Sequence, residues 1–148
     1  MIIAGIDPGP HSSGFCVWDT DAQKIKFSIP NMINYNIGRA RFGETVYIIE
    51  DIKSYGMAVG ESVFSTCKQI GELLYRLDNI ESVYKRDIQL HFCNTVRAKD
   101  TNIKRVLLDR FGEKGTKKNP GLTYGLSNHA WDAFALCILH QDKELGIG

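Results

Sequence analysis

The amino-acid sequence predicts an α/β fold in which helices flank a mixed sheet of five strands. Three short strand patterns joined by tight turns open the chain, and strands joined in this way pair antiparallel. A strand–helix–strand pattern follows, and such a unit is parallel and right-handed. The length of 148 residues suits one domain with a buried core, so we expect a single domain over residues 1–148.

The opening strands are predicted at residues 2–7, 14–19 and 24–29. Pro8-Gly9 and the Asp19-Thr20-Asp21 stretch supply residues that favour turns between them. A polar link over residues 30–44 leads to the segment VYIIE, whose composition is typical of a fully buried strand ending at Glu50. We expect the first and fourth strands to be parallel neighbours in the sheet.

A helix with one buried face is predicted next, because apolar residues recur at a spacing of three to four. These residues are Val63, Phe64, Cys67, Ile70, Leu73, Leu74 and Leu77. The alternating segment IQLHFC, residues 88–93, is predicted as the fifth strand.

Two further helices are predicted towards the end of the chain. The segment TNIKRVLLDRF, residues 101–111, predicts a helix with Ile103, Val106, Leu107 and Phe111 facing inward. A loop rich in Gly, Lys and Asn follows at residues 112–127. The last helix, from about residue 128 to 140, is apolar almost all round and is expected to be mostly buried.

Composition excludes several classes of protein. Hydrophobic residues make up 43% of the chain and charged residues 24%, as in ordinary globular proteins. No apolar run approaches a membrane span and no basic signal-peptide flank opens the chain, so we expect a cytoplasmic protein with no membrane partner. The four cysteines form no C-x-x-C pair, and we expect buried, reduced thiols rather than zinc ligands or disulfides.

Positive charge is concentrated in one segment of a nearly neutral chain. Residues 97–118 carry eight Lys or Arg against three acids, a net charge of +5, which leaves −4 on the rest. A basic stripe of this kind is typical of a protein that binds a phosphate backbone. A solvated lysine-rich loop explains it equally well.

Acidic residues end two of the predicted strands. Asp7 and Glu50 are expected side by side, and His129 and Asp132 lie three apart on one face of the last helix. These donors suit Mg²⁺ or Mn²⁺, and two such ions about 4 Å apart can clamp the attacking and leaving oxygens of a phosphodiester. Each residue taken alone also has a structural explanation. Asp7 can belong to a turn, Glu50 can simply end a strand, and His129 can begin a helix with its side chain bonded to the backbone. Asp132, among apolar neighbours, is the hardest to explain without a partner.

At these residues the sequence resembles a known family. The segments GIDPGPHSSGFCVW, YIIE and HAWDAFALCILH resemble the signature segments of the RuvC-type Holliday-junction resolvases of the ribonuclease H-like superfamily. SYGMAVGESVF and GTKKNPGLTYG are similar to stretches of its phage-encoded branch. In the family, four acidic positions hold two metals, and a homodimer nicks two opposed strands of a four-way DNA junction. Asp7, Glu50 and Asp132 match three of these positions, and His129 matches the fourth, which is often Asp.

The resemblance implies a crossover junction endodeoxyribonuclease that uses two Mg²⁺ or Mn²⁺ ions. A less selective branch or flap nuclease and a DNA-binding module that does not cut are the alternatives. A nucleotide-binding fold of the actin type needs two such domains, for which 148 residues are too few, so no nucleotide cofactor is expected. The link at residues 30–44 is shorter than in the family.

The resemblance and the basic stripe together predict which residues contact DNA. Phosphate contacts are predicted for Arg97, Lys99, Lys104, Arg105, Lys114, Lys117 and Lys118. Lys117 and Lys118 precede the last helix and are also candidates to stabilise the transition state, with Lys118 taken as the catalytic one. Tyr55 and Met57 lie where family members place an apolar wedge at the strand-exchange point. Half-buried packing is the alternative for Tyr55.

Overall fold

The computed structural model describes residues 1–39 and 43–148. Its strands are β1 Ile2–Asp7, β2 Ser12–Asp19, β3 Lys24–Ile33, β4 Thr45–Asp51 and β5 Ile80–Tyr84. Its α-helices are α1 Glu61–Arg76, α2 Lys85–Cys93, α3 Asp100–Phe111 and α4 His129–Glu144. The predicted polar link is partly structured, because β3 continues to Ile33 and a 3-10 turn covers Asn34–Asn36. Residues 40–42 of that link lie outside the described residues.

The five strands form one mixed sheet in the order β3-β2-β1-β4-β5. β2 pairs antiparallel with both β1 and β3, whereas β4 pairs parallel with both β1 and β5. The predicted fold class and the adjacency of the first and fourth strands are therefore confirmed. Ile6 is opposite Ile49 in the register, so Asp7 and Glu50 follow at the same edge of the sheet.

The prediction for the fifth strand is wrong. Residues 88–93 belong to α2, and β5 is the preceding segment Ile80–Tyr84, in which Val83 pairs with Glu50 of β4. Short apolar runs are ambiguous between strand and helix, and here the helix start decides. The Asp87 carboxylate accepts a hydrogen bond from the Tyr84 backbone N–H at 2.9 Å, which caps the first turn of α2.

The sheet carries a hydrophobic cluster on each face. Helix α4 lies against β1 and β2 on one face, with α2 and α3 beside it, and its residues from Ala130 to Asp142 are buried except for Asp132. The prediction of a mostly buried last helix is confirmed. Helix α1 covers the other face. Apolar as α4 is, the described residues contain no helix that is both long and apolar enough to cross a membrane.

Two predictions about burial need correction. Cys16 and Cys137 are buried as expected, but Cys67 is exposed and Cys93 is half-buried; all four are free thiols. The sheet covers Ile70 and Leu73 of α1 and Leu77, which directly follows the helix. The predicted apolar face is wider than the sheet that covers it, and three of its residues lie in solvent: Phe64, Cys67 and Leu74.

Two glycines allow α4 to approach the sheet. A Cβ atom at Gly5 of β1 would clash with the backbone carbonyl of Ala133, and one at Gly14 of β2 would clash with the carbonyl and Cβ of His129. Glycine removes these clashes, so the helix backbone lies directly against the strands. This close contact brings the first turn of α4 next to the end of β1.

Candidate functional site

Three side chains from distant parts of the chain converge where β1 ends and α4 begins. Nδ1 of His129 lies 2.8 Å from Oδ2 of Asp7 and 3.6 Å from Oδ2 of Asp132. One donor atom from each residue can be chosen so that all three lie within 4.8 Å of one another. The imidazole faces the carboxylates, so the helix-start alternative for His129, with its ring bonded to backbone, is not what the structure contains.

Glu50, at the end of β4, stands beside Asp7. The two carboxyls lie close enough to hydrogen-bond when one is protonated. Burial raises the pKa of Asp7 to about 7, and the negative charge of Asp132 adds to the effect. Burial and the charge of Asp7 likewise raise the pKa of Glu50 to about 8. Burial, followed by the charge of Asp100, raises the pKa of Asp132.

Asp7, His129 and Asp132 form a group that could hold a divalent cation, and the carboxyl group of Glu50 adjoins Asp7 to make four potential ligands. Their donors are three carboxylates and one imidazole, a set that Mg²⁺ tolerates and Mn²⁺ accepts readily. Burial first, and then the neighbouring negative charges, raise the pKa values of Asp7 and Glu50, so ionised carboxylates are costly here without a cation. A cation between the carboxylates removes that cost, so the residues fit a divalent metal.

Lys85 and Asp100 also belong to this site, and sequence reasoning missed both. They are the first residues of α2 and α3, and Lys85 Nζ forms an ion pair with Asp100 Oδ1. The positive charge of Lys85 acts to lower the pKa of Asp7, Glu50 and Asp132. No sequence signal marked Lys85, because the segment that places it was predicted as part of a connection before a strand.

The basic stripe divides into paired and unpaired cations. The Arg105 guanidinium donates to Asp109 at 2.8 Å and to Glu113 at 2.7 Å, so part of its charge is compensated. Lys104 Nζ lies 4.9 Å from the ring centre of Trp131 and lines a cavity of about 320 Å³ together with His129 and Asp132. Arg97, Lys99, Lys114, Lys117 and Lys118 are exposed.

Lys117 and Lys118 lie at the tip of a tight hairpin. Gly115 pairs with Pro120, the Gly121 N–H donates to the Lys114 carbonyl at 2.8 Å, and the Thr116 N–H donates to the Asn119 carbonyl at 3.1 Å. Gly115 has φ +72°, a conformation that glycine adopts without strain. The two lysines are therefore displayed on an ordered projection rather than spread along an extended loop.

The segment after β4 is exposed. Tyr55 is 60% exposed and Met57 78% exposed, so the alternative of half-buried packing for Tyr55 is wrong. Tyr55 and Lys85 together line two cavities, one of about 210 Å³ that includes Glu50 and one of about 380 Å³ that includes Gln89. An apolar side chain next to the carboxylates is thus available to a bound molecule.

A mixed sheet in this strand order, with helices on both faces, defines the ribonuclease H-like class of fold. Within that class, the structure is similar to RuvC. A Thermus thermophilus RuvC structure in complex with a Holliday junction substrate matches 99% of this chain and 97% of its own, with a TM-score of 0.69 and 16% identity. A second T. thermophilus RuvC structure matches 99% of this chain and 98% of its own, with a TM-score of 0.62 and 16% identity.

The resemblance to RuvC predicted from the sequence segments is confirmed at the level of the fold. No protein-family model matches the chain. No curated protein matches it either. The likeness to the phage-encoded branch stays a prediction.

Proposed function

We propose that this chain is a metal-dependent endonuclease that nicks branched DNA, with four-way junctions as its preferred substrate. The observation that carries the proposal is the convergence of Asp7, Glu50, His129 and Asp132 at one sheet edge of a RuvC-like fold. One of the similar structures is described as a complex with a Holliday junction. We further propose that residues 1–148 act as one nuclease domain in the cytoplasm of a bacterium or a phage-infected cell.

Asp7, Glu50, His129 and Asp132 would hold two divalent ions, Mg²⁺ or Mn²⁺. When bound, such ions activate water and stabilise the oxygens that attack and leave a phosphodiester. The chain's own contribution is to fix the donors on rigid elements, since Asp7 and Glu50 end strands of one sheet and His129 and Asp132 share the first turn of α4.

DNA would lie across the exposed cations around this centre. The hairpin carrying Lys117 and Lys118 would contact the backbone, with Lys118 also assigned a role at the transition state. Arg97, Lys99, Lys104, Arg105 and Lys114 would add phosphate contacts that position the duplex without reading its sequence. Tyr55, exposed beside Glu50, is suited to stack against a base opened at the junction centre.

The enzyme would act as a homodimer, because two opposed strands must be cut. Helix α1 supports this part of the proposal. Phe64 is 59% exposed, Leu74 37% and Tyr75 93%, on a helix whose other face is packed on the sheet. Exposed aromatic and aliphatic side chains of this kind are typical of a protein–protein interface, and a second copy of α1 would cover them.

A nicking assay on labelled four-way junctions, flaps and linear duplex tests the proposal. The wild type with Mg²⁺ or Mn²⁺ should cut junctions, whereas Asp7→Asn and Asp132→Asn should lose at least about 100-fold in rate while still binding. Asp51→Asn is the matched control, because Asp51 is next to Glu50 in β4 but accepts a hydrogen bond from the Ile52 backbone N–H at 2.7 Å.

Each alternative has its own outcome in that assay. Equal cutting of flaps and junctions would replace the junction resolvase with a branch nuclease. Junction binding without any cutting, in both metals, would leave only a DNA-binding module. Near wild-type cutting by Asp7→Asn would remove Asp7 from the active site.

A further inference from the structure

Lys85 occupies a position that the proposed metal ligands do not explain. It begins α2 directly after β5, the strand that pairs with β4, so its backbone lies one strand away from Glu50. Its ammonium forms an ion pair with Asp100, the residue that begins α3. The two side chains are 40% and 60% exposed, so the pair lies at the surface of the site and a bound molecule can reach it.

The ammonium is close enough to the carboxylate cluster to act on it electrostatically. Asp7, Glu50 and Asp132 come from three different elements, and Lys85 is the lysine whose positive charge stabilises the ionised form of each of them. Burial acts to lower the pKa of Lys85, but Asp100, Glu50 and Asp132 together hold it above its ordinary value. Lys85 therefore places a positive charge at the edge of the carboxylate cluster.

Two cavities meet at Lys85. One contains Glu50, Lys53 and Tyr84, and the other contains Arg86, Gln89 and Val96, while Tyr55 and Lys85 line both. The side chains of Lys85 and Tyr55 therefore border both cavities. A phosphate group that reaches Glu50 from this side meets a cation on its way.

We propose that Lys85 is a catalytic residue that donates a hydrogen bond to a non-bridging oxygen of the scissile phosphate, and that Asp100 is the positioning residue that aims its ammonium. This inference rests on the proposed function. In the hydrolysis, a water oxygen bonds to phosphorus, one P–O ester bond breaks, and a proton from water ends on the leaving oxygen. Lys85 forms no covalent bond and keeps its proton; it stabilises the negative charge that builds on the phosphate oxygens.

Lys85→Met tests the catalytic role, because methionine keeps the apolar stem and removes the charge. Single-turnover nicking at saturating enzyme should slow about 100-fold, the usual loss when one donor to a developing oxyanion is removed. Lys85→Arg should recover at least part of that loss. Lys24→Met is the matched control, since Lys24 is an exposed lysine that pairs in the sheet register with Asp19, at the end of the sheet away from Asp7, and its nicking rate should change by less than about threefold.

Asp100→Asn tests the positioning role. It should slow nicking in the wild-type background but have no further effect in the Lys85→Met background, because Asp100 acts through Lys85. Equal slowing in both backgrounds would give Asp100 a role of its own and overturn its assignment. Near wild-type nicking by Lys85→Met, or equal slowing by Lys24→Met, would overturn the assignment of Lys85.

A Mn²⁺ titration followed by calorimetry separates failure of this inference from failure of the proposed function. Removing a cation next to the carboxylates should strengthen Mn²⁺ binding to Lys85→Met about threefold or more, whether or not the protein cuts DNA. Unchanged affinity would show that Lys85 faces away from the site and would overturn the inference. Absence of nicking by the wild type, with the Mn²⁺ effect present, would instead refute the nuclease activity.

Discussion

Nδ1 of His129 lies 2.8 Å from Oδ2 of Asp7, although 122 positions separate the two residues in the chain. The contact joins the end of the first strand to the start of the last helix. It exists because Gly5 and Gly14 let the backbone of α4 lie directly on β1 and β2. A donor set that includes a neutral imidazole carries one negative charge fewer than a set of four carboxylates.

This difference predicts a preference for manganese. We expect the wild type to nick faster with Mn²⁺ than with Mg²⁺, because Mn²⁺ accepts a nitrogen ligand more readily. His129→Asp should narrow the gap, and His129→Ala should slow nicking with both ions. The measurement is a set of nicking rates across the two metals, with His11→Ala as the control, because His11 is an exposed histidine near the start of β2. Wild-type rates for His129→Ala would reduce the site to three protein ligands.

The carboxylate cluster predicts how stability depends on pH. The pKa values of Asp7 and Glu50 are raised to about 7 and about 8 in the folded, metal-free protein, above the ordinary values of 3.8 and 4.5. The folded state then binds more protons than the unfolded state, so stability falls as pH rises through these values. We expect the Tm of the metal-free protein to decrease between about pH 5 and pH 8.

Two comparisons check the origin of that decrease. Glu50→Gln should flatten it, because glutamine does not titrate. Mn²⁺ should raise the Tm more at pH 8 than at pH 6, because the ion binds the deprotonated carboxylates. A Tm of the metal-free protein that is constant or rises over this range would contradict the assignment.

The surroundings of two glycines predict that their replacement by alanine has opposite effects on stability. Gly5→Ala should destabilise the protein by about 2 kcal/mol and slow nicking, because its Cβ would push the Ala133 backbone away and carry Asp132 with it. Gly71→Ala should stabilise by about 1 kcal/mol, since Gly71 lies in the interior of α1 with open space around it. Urea denaturation measures both. Similar stability of the two variants would show that α4 does not depend on this close contact.

A buried ion pair near the C-terminal end of α4 predicts that its removal lowers the stability of the protein without changing the nicking rate. Asp142 is 1% exposed and accepts two hydrogen bonds of 2.7 Å from Arg110; His91 Nε2 lies 2.7 Å from the same carboxylate. Burial acts to raise the pKa of Asp142, but Arg110 and His91 hold it below its ordinary value. Asp142→Ala should destabilise the protein by about 3 kcal/mol, because it leaves the partly buried Arg110 without its carboxylate partner.

The control for that loss is Asp109→Ala, which removes an exposed partner of Arg105 and should cost less than about 0.5 kcal/mol. Urea denaturation again gives both values. At a temperature where it remains folded, Asp142→Ala should nick at the wild-type rate, since about 15 Å of helix separates Asp142 from Asp132. A nicking defect in the folded variant would mean that the two ends of α4 are coupled.

The lysine hairpin predicts a change in the salt dependence of DNA binding. Lys117→Ala/Lys118→Ala should weaken binding to branched and linear DNA alike and reduce the slope of log K against log salt by about 1 to 2, because fewer counterions are released. Gel-shift titrations at several salt concentrations measure it. The control is Lys24→Ala/Lys143→Ala, which removes two exposed lysines from the start of β3 and the last turn of α4. An unchanged slope for the hairpin variant would show that Lys117 and Lys118 do not contact phosphates.

Local patterns were sufficient for most of the fold. Tight turns set the antiparallel order of β1, β2 and β3, and the apolar composition of residues 130–139 identified a buried helix. The composition of residues 46–50 identified β4, but the prediction that this strand is fully buried is wrong, because only Ile48 and Ile49 of β4 are buried. The same patterns placed Asp7 and Glu50 at strand ends, since side-chain polarity changes where a buried strand reaches solvent. The four proposed ligands lie in three separate segments of the sequence, namely the ends of two predicted strands and the start of the last predicted helix.

Long-range packing decided the rest. Residues 88–93 alternate like a strand, but residues 80–84 occupy the position beside β4 in the sheet, and the later segment forms α2. The apolar stripe of α1 does not reveal which part the sheet covers, and Phe64 was left in solvent. Lys85 and Asp100 meet because α2 and α3 begin at the same edge of the sheet. Ion pairs of this kind carry no local sequence signal, because their strength depends on distance and desolvation, which only the folded chain determines.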